Sequence, residues 1–124
     1  MSDQKIENEI QAKGLTAPRI TPAAIEDNIT DEFYFTAANG VIGANSPLNG
    51  PITQELTLLT FCVLQLRNGF TVSGKSACAS PENFDPEIGR AIARQNAIGE
   101  IWPLMGYQLR SQLAAATESE GGEL

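Results

Sequence analysis

The sequence contains no histidine. That absence removes Ser-His-Asp and Cys-His nucleophile systems, imidazole general bases and histidine metal ligands. Cysteine is scarce: Cys62 and Cys78 stand alone and form no CxxC pair. Two thiols cannot build a disulfide framework, so they read as reduced cysteines of a cytosolic protein. Long apolar runs are also missing. The longest, Leu56 to Leu66, falls well short of the ~20 residues a membrane span needs. Residues 1–14 are polar and lack the apolar stretch of a signal peptide, so a soluble chain with no membrane attachment is expected. Basic residues number 8 against 15 acidic ones. The net charge of −7 repels phosphate backbones and excludes non-specific nucleic-acid binding. The acid is uneven: −4 in residues 1–54, zero in 55–110 and −3 in 111–124.

What is present fits one domain, since 124 residues suffice to bury a core. Composition divides the chain into a flexible polar arm at 1–19, a domain at 20–116 and a disordered acidic tail at 117–124. A short helix is predicted over Thr21 to Ile29, with Thr21 as N-cap and Pro22 at the first helical position. Phe33, Tyr34 and Phe35 follow in direct succession, and three adjacent aromatics cannot share one face of a strand. Gly43 to Pro51 reads as a loop.

Two strand-like runs then flank Arg67-Asn68-Gly69. A two-residue turn would set Leu64 opposite Ser73 and Leu66 opposite Thr71, mixing polar and apolar residues on one face. A three-residue turn with Gly69 in the left-handed region pairs Leu64 with Val72 and Cys62 with Gly74. It also gathers Cys62, Leu64, Leu66, Phe70 and Val72 on one face. Asp85 caps a long helix that begins at Pro86, for which Ile88, Ala91, Ile92, Gln95, Ile98 and Trp102 recur at helical spacing. Pro103 is expected to interrupt or kink it. The fold class is therefore α+β: a central antiparallel hairpin, with Phe33–Ala37 as a candidate addition to it, packed on a long C-terminal helix kinked at Pro103, with a short N-terminal helix.

The loop between hairpin and helix has two readings. As a ligand cradle, Ser76, Ser80 and Asn83 offer short polar groups beside a helix N-terminus, and Arg90 and Arg94 form a basic stripe able to clamp phosphate or carboxylate. As structure, Ser80 and Asn83 close turns, Asp85 caps the helix, and the arginines are a solvated face paired with Glu87. Cys78 lacks a base and reads as structural. No metal-ligand spacing is present, and no cofactor is implied. A bare hairpin leaves open edges, which favours a homo-oligomer, a dimer first, through the hairpin or the long helix.

The stretch from Leu58 to Leu109, with "NGFTVSGKSACASPENFDPEIGRAIARQNAIGEIWPLMGYQL" and "YFTAANG" upstream, resembles the gene-49/gene-66 family of small tailed-phage accessory proteins. The resemblance implies a phage gene product acting in the host bacterial cytoplasm and carries no catalytic residues. Two functions follow as expectations. One is a non-enzymatic binding protein that sequesters a small anionic, nucleotide-like ligand. The other is an interaction module that docks through Phe33–Phe35 on a host or phage protein and modulates it.

Overall fold

The computed structural model describes residues 2–15, 17–45 and 50–121. The α+β class holds. Among the described residues, a three-stranded antiparallel sheet in the order β1-β2-β3 is formed by β1 (Ile29–Thr36), β2 (Leu59–Leu66) and β3 (Thr71–Ala77). The helices are α1 (Asp3–Ala12), α2 (Pro22–Asp27), α3 (Ala37–Ala44) and α4 (Pro86–Gly121), with 3-10 turns at Gln54–Leu58 and Pro81–Asn83. Contacts divide the chain into two compact units, 29–100 and 1–28 with 101–124.

In the unit of residues 29–100, the hairpin adopts the three-residue turn. Leu64 pairs with Val72 and Cys62 with Gly74, while the Leu66 amide donates to Phe70 O at 2.8 Å. Gly69 has φ +89, a left-handed conformation that costs other residues energy and glycine little. Cys62, Leu64, Leu66 and Val72 are buried on the face this register gives them. Phe70 is not: at the mouth of the turn its side chain lies largely in solvent. The aromatic run does widen the sheet. β1 pairs along β2, with Tyr34 opposite buried Cys62 and with Phe33 and Phe35 on the reverse face opposite Val63 and Phe61.

α4 meets the sheet through small residues. Gly89, Ala93 and Ala97 are buried, whereas Ile88 is 58% and Ile92 46% exposed. Ile88 and Ile92, both predicted for the core stripe, therefore face away from the sheet, while Ile98 is half-buried. The cause is proximity. A Cβ on Gly74 would overlap Ala93 O and Ala97 N, and one on Gly89 would come within 3.1 Å of Thr60 Oγ1. A helix held that close accepts only small side chains at its contact face.

α3 was not expected. Its start is fixed by a reciprocal cap: Thr36 Oγ1 accepts from the Asn39 amide and Asn39 Oδ1 accepts from the Thr36 amide at 2.9 Å. Of the loop read over Gly43 to Pro51, residues 46–49 lie outside the described residues.

In the unit of residues 1–28 and 101–124, the polar arm carries α1, capped by Ser2, whose Oγ accepts from the Lys5 amide at 3.1 Å. α2 is capped by Thr21 with Pro22 in its first turn, and Ile29 belongs to β1 rather than to this helix. α4 continues through Pro103 to Gly121, past residue 116, the expected end of the domain. Proline removes one backbone hydrogen bond, that to Gly99 O, and Gly99 is exposed, so water can satisfy its carbonyl. Of the tail, residues 122–124 lie outside the described residues. Trp102 Nε1–H donates to Asp3 Oδ2 at 3.1 Å. Glu7 is only 5% exposed and is bound by both Arg19 and Gln11, with Arg19 Nη2 donating to Oε2 at 2.7 Å and Gln11 Nε2 at 2.6 Å. These hydrogen bonds, Arg19's foremost, hold the Glu7 pKa down at about 2.

Candidate functional site

The first turn of α4 supplies one wall of a small pocket. Asp85 ends the preceding loop, and its Oδ1 accepts from the Glu87 amide at 2.9 Å and the Ile88 amide at 3.3 Å. The helix N-terminus thus satisfies its free donors with its own carboxylate, as an N-cap should. Pro86 follows at the first helical position, and Arg90 stands one turn further on.

Arg90 faces a pocket of about 160 Å³. Phe84 and Pro86 close it on the α4 side, Thr60 lies at its base on β2, and Tyr34, Phe35, Thr36 and Asn39 complete it from β1 and α3. Among the described residues, the Arg90 guanidinium has no hydrogen-bond or ion-pair partner. The pocket therefore combines one unpaired cation, the hydroxyls of Thr36 and Thr60, the Asn39 amide and aromatic walls. Such a set suits an anionic head group attached to a flat or apolar body.

Beside it, Glu32 Oε2 accepts from Arg94 Nε at 2.7 Å and from Tyr34 Oη at 3.0 Å. Arg94 thus ties α4 to β1 instead of pairing with Glu87. Burial first, and then the bond to Glu32, push the Tyr34 pKa up to about 12. Burial likewise pushes the Cys62 thiol up, which disfavours the thiolate that nucleophilic chemistry needs.

The five residues singled out from the sequence are distributed as follows. Arg90 lines the pocket. Arg94 is engaged by Glu32 nearby. Ser76 sits in β3 opposite Thr60, outside the pocket lining. Ser80 and Asn83 bound the 3-10 turn, where the Asn83 amide donates to Ser80 O at 3.0 Å and Cys78 Sγ–H donates to the same carbonyl at 3.2 Å. Both are exposed. Sequence reasoning missed the opposite wall, Tyr34 to Asn39. Its signal was the Thr36-x-x-Asn39 cap, which places a helix start next to the aromatic strand.

Among the described residues there is no group of three or more His, Cys, Asp or Glu placed to hold a metal ion. Among them, too, no helix is long and apolar enough to cross a membrane. The chain belongs to the Phage protein (N4 Gp49/phage Sf6 gene 66) family, whose sequence model matches residues 20–113 and so spans the whole pocket. No curated protein and no solved structure matches the chain.

Proposed function

We propose that this member of a phage protein family is a non-enzymatic accessory protein that acts in the cytoplasm of the infected host and binds a small anionic ligand at Arg90. The observation that carries the reading is the guanidinium of Arg90, without a partner among the described residues, lining a pocket walled by hydroxyls and aromatic rings. At about 160 Å³ the pocket is smaller than the ~300 Å³ at which drug-sized sites begin. It holds one phosphate or carboxylate group with a small adjoining ring; the remainder of a nucleotide-like ligand would lie outside. The lack of histidine and the buried, raised Cys62 thiol favour binding and sequestration over turnover.

Calorimetric titration with adenosine monophosphate, and separately with inorganic phosphate, tests the site. Arg90→Ala should weaken binding by about tenfold or more, the worth of a charge-assisted hydrogen bond. Ser80→Ala should change nothing. Binding that survives Arg90→Ala would refute the assignment.

A second reading, a protein-docking module acting on a host or phage protein, is favoured by the exposed Phe33 and Phe35.

A further inference from the structure

The reverse face of the sheet is apolar where a solvated face should be polar. An antiparallel sheet covered on one side normally alternates apolar inward and polar outward. Here the outward rows run Phe35–Phe61–Lys75, Phe33–Val63–Ser73 and Asp31–Gln65–Thr71 across β1, β2 and β3. Phe33 is 55% and Phe35 38% exposed, and the Phe35 and Phe61 rings stack at 5.3 Å. α3 approaches this face at one corner, where a Cβ on Gly40 would stand 3.7 Å from the Phe35 ring.

Charge identifies the occupant. Asp31 and Lys75 stand at diagonally opposite corners of the face, both exposed, and neither has an ion-pair partner among the described residues. They are too far apart to pair within one chain. In an isologous interface, residue i of one copy meets j of the other, and j meets i. A two-fold axis along the Phe35–Thr71 diagonal sets Asp31 of each copy against Lys75 of the other and brings Phe33 onto Phe61. The sheets then cross near a right angle, one of the two preferred ways that sheets stack.

We propose that the outer sheet face of Phe33, Phe35, Phe61 and Val63 is the interface of a homodimer, held in register by reciprocal Asp31–Lys75 pairs. The face is small, so the dimer forms across the micromolar range rather than being permanent. The proposal does not depend on the Arg90 site, whose ligand binding is measured separately.

The test is sedimentation of the full chain over a concentration series. The wild-type mass should double with concentration. Asp31→Lys alone, or Lys75→Asp alone, sets like charges at both corners and should weaken self-association by roughly tenfold or more. An equimolar mixture of the two variants restores opposite charges at both corners, so it should form heterodimers at least as readily as the wild type does homodimers. Phe33→Ser should also weaken the dimer, and circular dichroism will show whether each variant is folded. A wild-type chain that stays monomeric throughout would overturn the proposal and leave the face to a different protein. Dimers unaffected by either charge reversal would overturn it as well.

Discussion

Gly74 of β3 lies directly beneath Ala93 of α4, so close that a single methyl group on the glycine would overlap the Ala93 carbonyl oxygen. The same Cβ would come 2.8 Å from the Asn96 carbonyl carbon. Both obstacles are backbone and cannot rotate away. Gly74→Ala should therefore destabilise the protein by about 3 kcal/mol, at the upper end of ordinary overpacking. Urea unfolding measures it. Ser73→Ala, on the outward face, should change stability by only a few tenths of a kcal/mol.

Asn96 reinforces this contact, since its Nδ2 donates to Lys75 O at 2.8 Å. The close approach also explains what the sequence leaves hard to read. Local chemistry at Thr21, Asp85 and Asn68-Gly69 is legible because caps and turns are set by neighbouring residues. The sheet-facing side of α4 is not. Ile88 and Ile92 have the size expected of a core, yet the distance to β3, fixed by Gly74 in a different element, selects Gly89, Ala93 and Ala97. α1 escaped notice for a related reason: ten mostly polar residues carry little apolar periodicity, and its anchor, Glu7 on Arg19, is an ion pair. At the pocket, Arg90 is legible as a cation near a helix start. Its opposite wall depends on how β1 pairs with β2, which no local motif reveals.

Glu7 should make the α1 unit sensitive to acid. Its folded pKa of about 2 lies below the ordinary 4.5. The folded form thus binds a proton less readily than the unfolded form, and stability falls as pH falls. The contribution is complete above about 4.5 and lost as the pH drops through 2. Acid unfolding followed by circular dichroism should begin in this window. Glu7→Gln should remove this contribution at neutral pH and flatten the acid dependence.

Tyr34 acts in the opposite direction. Its folded pKa of about 12 exceeds the ordinary 10. The neutral phenol is favoured in the folded state, so its contribution is complete below about 10 and lost as the pH rises through 12. In a Tyr107→Phe background, phenolate absorbance reports Tyr34 alone and should rise only near pH 12. Glu32→Gln should lower that midpoint, and Arg94→Ala should cost about 0.5–1 kcal/mol, as expected for a partly exposed ion pair.

The two thiols should separate cleanly under native alkylation. Cys62 is fully buried and its pKa is raised by that burial. Cys78 is partly exposed beside the 3-10 turn. Mass spectrometry of peptides should find label on Cys78 in the folded protein and on Cys62 only after unfolding. Rapid labelling of Cys62 would contradict the packing of α4 on β2.

The central claim is that Arg90 binds an anion, and native mass spectrometry of protein purified from its bacterial host tests it most directly. A small phosphate- or carboxylate-bearing molecule should co-purify with the wild-type chain, dissociate on denaturation and be missing from Arg90→Ala. A wild-type protein that carries no such molecule and takes up neither phosphate nor adenosine monophosphate when they are added would contradict it.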